Sequence, residues 1–405
     1  MKLDEKRDII QRSAEKAWIN ANYIGGFCIT TGVGKAIAAL HCTQHIPLGG
    51  TILFLAETTS RFEDIQKDLI NYKNFFGIDI LKNYKWIEST YQSSYKWNNK
   101  SFDLVIADEY HFAMTPIYSK FFLNNKYNKL VGLSATLEDN IIYNENDINS
   151  FTKKDLINKI CPVIYTYNIG NSNKDGTTRK KIIFVINHQL NNSILDYTGG
   201  TKEKSFLQTE QSAYNYYNDR FKKSLFMDEG PSKTFAIMNA SSKRAKVLYD
   251  ANSKIKETKK LLLGLSSKTL VYGNSLDALY KITPNTISSR FSKEKNDKIR
   301  KSFETNEIDV LGSFKKLEQG ANLKGLDNVI IHSYYSKTRP IIQRLGRIRL
   351  EDDKDMGFVF IFKTINTQEE KWFEKMMVDL KEFNIIYCKN VEEALLNYNN
   401  IKLNI

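Results

Sequence analysis

Two adjacent carboxylates, Asp108 and Glu109, follow almost directly on the run Phe102-Asp-Leu-Val-Ile106. The run suits a strand of a covered parallel sheet, and ligands of open α/β sheets sit beyond the carboxyl ends of the strands. At such a place one acid can hold Mg²⁺ while the other orients or deprotonates a water. The plainer alternative is a solvated acidic turn after a buried strand. A second chemical stretch, Thr31-Gly-Val-Gly-Lys35, lies between the short apolar run from Gly25 to Thr30 and a helical pattern over 37–41. Glycines let backbone N–H groups close on a phosphate, the helix amino end adds a positive dipole, and Lys35 adds a full charge. Phosphate loops usually carry Ser or Thr after the Lys, and this chain has Ala36. A methyl group offers no lone pair to Mg²⁺, so a metal here would rest on phosphates, water and the carboxylates near Asp108. Downstream lie the hydroxyls of Ser134-Ala-Thr136 and a basic stretch, Gln343-Arg-Leu-Gly-Arg-Ile-Arg349. That stretch is open to two readings, a solvated basic face or an anion contact after a strand.

The rest of the chain must position these groups. Its 405 residues leave room for two or three domains. A net charge of +13 favours an anionic partner, nucleic acid or an acidic membrane surface. Cys28, Cys42, Cys161 and Cys388 have no paired spacing, which argues against a zinc ribbon or disulfide framework and for a reducing interior. The amino terminus lacks the apolar core of a signal peptide, and no apolar run approaches the roughly 18 residues that span a bilayer. The expectation is a soluble, cytoplasmic protein.

Residues 3–22 read as an amphipathic helix containing Gln11, a polar residue among apolar positions. Strands are expected at 25–30, 51–56, 85–93, 102–106 and 130–133, giving a five-strand α/β domain that closes near residue 165. Thr90, Gln92 and Ser93 end one of these strands with groups that commonly contact a phosphodiester backbone, though such residues are also common in loops. Residues 166–180 read as a polar linker or exposed loop. A second α/β pattern follows, with strands at 182–186, 269–272, 309–311, 329–331 and a closing strand at 357–362. Residues 190–260 form a Lys-rich helical insertion in which Tyr214, Tyr216 and Tyr217 either stack on bases or belong to the core. The chain after residue 362 reads as helical.

Taken in order, these stretches resemble the motifs of superfamily 2 helicases and translocases. Thr31–Lys35 resembles motif I, Thr90–Ser93 the nucleic-acid motif of the first domain, and Asp108-Glu-Tyr-His111 a DExH motif II. Ser134–Thr136 resembles motif III, Leu270–Ser275 motif IV, Gly312–Leu323 motif V and Gln343–Arg349 motif VI. The resemblance implies two RecA-like doubly wound parallel-sheet domains, at 1–165 and 166–405, with ATP in the cleft between them. Lys35, Asp108, Glu109, Gln343 and Arg347 would be catalytic: Asp108 anchoring Mg²⁺, Glu109 poising the attacking water, Arg347 acting as the arginine finger. Gln11, Thr31, Gly32, Val33, Gly34, Lys35, Ala36, Gly320, Asn322 and Arg344 would contact ATP. His111, Ser134 and Thr136 would couple that site to nucleic acid, itself bound by Arg61, Thr90, Gln92, Ser93, Asn274, Ser313 and Lys315. Two departures bear on turnover, Ala36 in motif I and Leu350 where relatives carry a second arginine. The pattern is similar to phage branch-migration DNA helicases, which implies a monomeric, ATP- and Mg²⁺-dependent enzyme remodelling duplex, forked or branched DNA. An RNA-directed helicase and a nucleotide-gated binding clamp with little turnover stand as alternatives.

Overall fold

The computed structural model describes residues 3–135, 142–143, 151–200, 204–314, 323, 325–335, 348 and 356–404. The chain divides into two compact units, Met1–Thr178 and Arg179–Ile405.

In the first unit the strands are β1 (Ile24–Ile29), β2 (Thr51–Ala56), β3 (Lys85–Thr90), β4 (Ser101–Asp108), β5 (Lys126–Ser134), a small pair β6 (Ile142–Tyr143) and β7 (Phe151–Thr152), and β8 (Val163–Tyr167). Six of them form one sheet in the order β3-β2-β4-β5-β1-β8, with every neighbouring pair parallel. Alternate residues feed two apolar layers, as the two-residue period of a strand requires. Ile52, Phe54, Leu104 and Ile106 enter one core, and Leu53, Leu55, Val105 and Ala107 the other. Because the strands are parallel, the turns after β1, β2, β4 and β5 emerge along one edge of the sheet.

The expected five-strand sheet is thus six-stranded, with β8 added beside β1. The segment read as a linker is also structured: after β8 comes the helix Ile169–Asp175, capped by the Asn168 side chain and ended by Gly176 at φ +64°. Lys6 donates to the Asp175 carbonyl at 2.8 Å and the Tyr167 hydroxyl meets the Asp175 carboxylate at 2.9 Å. These ties tether the segment to the first unit, so the observed division falls after Thr178 and not near residue 165.

The second unit contains β9 (Lys180–His188), a hairpin β10 (Tyr197–Gly200) and β11 (Ser205–Gln208), then β12 (Thr269–Gly273), β13 (Thr286–Ser288), β14 (Val310–Phe314), β15 (Asn328–Ile331), β16 (Met356–Thr364) and β17 (Asn384–Cys388). Seven strands form a parallel sheet ordered β13-β14-β12-β15-β16-β9-β17. Two corrections follow. The strand at 356–364 is interior and does not close the sheet, and the carboxyl-terminal stretch is not all helix, because β17 forms the edge beside β9.

The expected insertion lies between β9 and β12 as the helices Glu210–Leu225, Pro231–Asp250 and Asn252–Gly264. Ala213, Tyr214, Val247 and Leu248 form a small core of its own. Its base is fixed by buried Glu210, whose carboxylate accepts from the backbone N–H groups of Asn191 and Ser253, each at 2.9 Å. Among the described residues, no helix is long and apolar enough to cross a membrane.

Candidate active site

The turns after four adjacent strands bring the expected motifs I, II and III together on one sheet edge. After β1, the Thr30 N–H is pinned to the Tyr167 carbonyl at 2.9 Å, and the loop turns through Gly32 (φ +93°) and Gly34 (φ +89°) into the helix Lys35–Cys42. Both glycines occupy the left-handed region, where a Cβ is costly. At Gly34 a Cβ would also lie 2.5 Å from the Gln11 amide nitrogen. Gln11 is buried, and its Nε2 donates to the Val33 carbonyl at 2.9 Å. The helix Leu3–Asn20 therefore braces the loop directly, and Gln11 does not face solvent.

At the end of β4 the Asp108 side chain is buried, and the Tyr91 hydroxyl donates to the Asp108 carbonyl at 2.8 Å. Glu109 adopts φ +48°, ψ +46°, a left-handed conformation rare for a residue with a Cβ. Such strain costs on the order of 1–3 kcal/mol and persists where the surroundings over-determine it. Here the turn directs Glu109 to an ion pair with Lys35. On its other side Glu109 Oε2 lies 3.5 Å from the Ser134 hydroxyl and 3.4 Å from His111 Nδ1, while His111 and Ser134 are 2.9 Å apart. Motif I thus meets motif II at Glu109, and motif II meets Ser134 through buried His111.

Tyr110 explains why motif II sits so close to the sheet, and the sequence reading missed it. Its ring is fully buried. A Cβ at Gly26 of β1 would come within 2.5 Å of the Tyr110 oxygen, and one at Gly132 of β5 within 2.8 Å of the ring. The glycines in two neighbouring strands were the available signal, since a strand-interior glycine marks close approach of another group.

Arg61, expected at nucleic acid, lies against Asp108. Its Nε donates to Asp108 Oδ2 at 2.6 Å, and its Nη1 bonds Asp64 at 3.2 Å. Burial opposes the charged guanidinium, but the Asp108 charge and hydrogen bond, with Asp64, hold it above its ordinary range. In this arrangement Arg61 neutralises the buried carboxylate. Arg61→Ala is expected to destabilise the first unit by about 1.5–3 kcal/mol, the range for a hydrogen bond to a charged group. Thermal melting of the variant against the wild type reads this directly. A variant that melts with the wild type would show that Arg61 contributes nothing to holding Asp108.

Thr90 caps the short turn Tyr91–Ser94, accepting from the Ser93 N–H at 3.3 Å, and Gln92 and Ser93 are exposed beside it. In the second unit the Asn274 N–H donates to the Ser333 hydroxyl at 2.8 Å, and both side-chain amide atoms of Asn274 are buried with no hydrogen-bond partner among the described residues. Ser313 is buried within β14 and turns no hydroxyl to solvent. Thr136, Lys315, Gly320, Asn322, Gln343, Arg344 and Arg347 lie outside the described residues, as does Leu350.

The residues present fit a nucleotide with a divalent cation. Asp108 Oδ1 is buried with no hydrogen-bond partner among the described residues, as an oxygen kept for a cation would be. Lys35 and the loop through Gly32 and Gly34 form an anion cradle of the kind glycine-rich loops provide. Ala36 is part-buried against the core of the first unit and offers no ligand atom.

Both units match known families and structures. Residues 4–139 match the family described as type III restriction enzyme, res subunit, and residues 242–350 match the helicase conserved C-terminal domain. No curated protein sequence matches the chain. Among solved structures, the chain is similar to the ATP-dependent type ISP restriction-modification enzyme LlaBIII bound to DNA (TM-score 0.58, 13% identity), over 94% of this chain and 31% of that one. It spans, therefore, about a third of that enzyme. It is also similar to S. cerevisiae Dbp5 bound to RNA and ADP BeF3 (TM-score 0.57, 11% identity, covering 97% of this chain and 91% of that one). A third similar structure is the Pyrococcus furiosus Hef helicase domain (TM-score 0.54, 13% identity, covering 92% and 97%). The fold is that of two RecA-like α/β units, and the restriction-enzyme and helicase carboxyl-terminal matches follow one another along the chain.

Proposed function

We propose that this chain, built on the superfamily 2 helicase pattern, uses ATP hydrolysis to translocate on or remodel DNA. The observation that carries the proposal is the convergence, on one sheet edge, of the Gly32–Lys35 loop, the buried Asp108 Oδ1 that no described group bonds, and the Lys35–Glu109–Ser134–His111 chain. Lys35 and the loop N–H groups hold the β- and γ-phosphates. Asp108 takes the Mg²⁺, which when bound neutralises phosphate charge. Glu109 orients the attacking water and accepts its proton; of the two residues the resemblance adds, Arg347 supplies positive charge and Gln343 a neutral amide hydrogen-bond donor. Phosphoryl transfer is governed mainly by positioning and charge neutralisation, and these groups supply both. His111 and Ser134 share hydrogen-bond distance with Glu109, so a shift of either on nucleic-acid binding alters the group that positions water.

DNA is preferred over RNA in this reading because the DExH form and the Gln343–Arg349 motif resemble DNA-directed branches of the superfamily. The test compares ATP hydrolysis activated by DNA and by RNA of equal length and sequence. DNA is expected to activate at the lower concentration. RNA activating at a tenfold lower concentration than DNA would replace DNA with RNA as the substrate. Binding should weaken steeply with salt, because Lys and Arg contacts release counterions from phosphates.

Ala36 favours a second reading, a nucleotide-gated clamp with slow turnover, since the loop lacks a hydroxyl for Mg²⁺. Under the motor reading, the Ala36→Thr variant should hydrolyse ATP within a few-fold of the wild type. An increase of about 10²-fold or more, measured at saturating nucleic acid and Mg²⁺, would establish the clamp instead.

A further inference from the structure

The helices Glu210–Leu225 and Pro231–Asp250 pack together as a hairpin joined by residues 226–230, and a cavity of about 310 Å³ opens between them. Tyr217, Arg220, Ser224 and Met227 line it from the first helix and its end, at the spacing of one helical face. Phe235, Asn239 and Lys243 line it from the second at every fourth residue. The lining thus contains three cations and no carboxylate. Arg220, Lys223 and Lys243 are exposed and have no carboxylate partner among the described residues, whereas Lys233 and Lys246 on the same hairpin pair with Glu229 and Asp250. The aromatic residues are just as uneven. Tyr214 is core, yet Tyr216, Phe226 and Phe235 are 55%, 89% and 70% exposed.

Cations alternate with rings across this surface. The Arg220 guanidinium lies 5.8 Å from the Tyr216 ring centre, Lys243 Nζ lies 5.7 Å from that of Tyr217, and the Arg244 guanidinium 4.1 Å from that of Phe221. A protein-docking groove would have a core depleted of lysine and other charges. Aromatic faces interleaved with unpaired cations are instead the pattern that stacks bases and tracks phosphates on a single strand. Residues 140–241, which include every lining residue of the groove except Lys243, fall outside both family matches.

We propose that the hairpin groove binds an unpaired stretch of nucleic acid, with bases stacking on Tyr217 and Phe235 and phosphates held by Arg220, Lys223 and Lys243. The site rests on the nucleic-acid reading given above and deepens it. It places a single-strand contact on the second unit, on an element separate from the ATP-binding loop. Stacking tolerates any base, so the contact favours single strands without selecting sequence.

Affinity of the full chain for a labelled oligothymidylate, and for an oligouridylate of equal length, tests the proposal at several salt concentrations. A Tyr217→Ala/Phe235→Ala variant should bind the preferred strand about tenfold more weakly or worse. An Arg220→Gln/Lys223→Gln/Lys243→Gln variant should reduce the slope of log affinity against log salt by about 2, the effect of three lost phosphate contacts on a single strand. Lys222→Gln, an exposed cation of the same helix outside the lining, should bind like the wild type, and thermal melting establishes that each variant folds. The strand that loses affinity identifies the ligand as DNA or RNA. Folded groove variants that bind both strands within twofold of the wild type would overturn the hairpin site alone. A wild-type protein that binds neither strand would remove the nucleic-acid reading together with it.

Discussion

Replacing Glu109 with Gln is expected to lower nucleic-acid-stimulated ATP hydrolysis by about 10²–10⁴-fold, the range attributed to a positioned general base. The substitution keeps the size of the side chain and removes its charge and its ability to take a proton. Nucleotide binding should survive, because Lys35 and the Gly32–Gly34 loop remain in place. Affinity is even expected to rise slightly, since the wild-type Lys35 is engaged by Glu109 when no phosphate is present. A fall in kcat with nucleotide affinity retained is thus the signature of the assigned role. The two quantities come from steady-state kinetics and from titration with a fluorescent ATP analogue. Equal loss of both would make Glu109 a structural partner of Lys35. An unchanged kcat would remove it from the chemistry altogether.

The second large effect lies far from the nucleotide site in sequence and concerns stability. Lys254 and Glu369 form an ion pair in which both side chains are fully buried, with Nζ 2.9 Å from Oε2 and 3.1 Å from Oε1. Glu369 also accepts from the Thr364 N–H at 2.8 Å, at the end of β16. The pair therefore joins the helix that follows the hairpin, Asn252–Gly264, to the first turn of the helix Gln368–Leu380. Burying two charges costs nearly as much as their attraction returns, so the pair itself adds little. Removing one partner is different, because it strands the other charge. Lys254→Met, which preserves most of the side-chain volume, is expected to destabilise the second unit by about 3–5 kcal/mol. For a unit of this size that corresponds to a melting shift of about 6–20 °C. The double variant Lys254→Met/Glu369→Met should recover most of the loss. Calorimetry of both variants checks the pair of expectations. A single variant within about 1 kcal/mol of the wild type would mean that water or a second cation already serves Glu369.

How much of this was legible in the sequence varies with the range of the interactions involved. The strand running into Asp108 and Glu109, and the glycine turn before Lys35, are local patterns, and the structure places both where periodicity and turn chemistry put them. The helix Ile169–Asp175 was unreadable for the opposite reason. Its sequence, Ile-Gly-Asn-Ser-Asn-Lys-Asp, has no apolar period, and it is held by the Asn168 cap and by Lys6, some 169 residues away along the chain. The edge strand Asn384–Cys388 is a short apolar run, which periodicity alone does not distinguish from buried helix. Arg61 was assigned from its place in the motif order, but its partner Asp108 lies 47 residues on and becomes a neighbour only because β2 and β4 pair. Tyr214, Tyr216 and Tyr217 show the same limit within a single helix: a three-residue spacing separates core Tyr214 from groove-lining Tyr217, while Tyr216 turns to solvent.

The central claim is that the Lys35–Glu109–Asp108 constellation is the engine of a nucleic-acid-dependent motor. Steady-state ATP hydrolysis by the wild-type chain, with and without saturating DNA, tests it most directly. The account predicts a low rate alone and strong stimulation by DNA that requires Mg²⁺. A rate that stays low with DNA and equally low with RNA, from a folded protein, would contradict it.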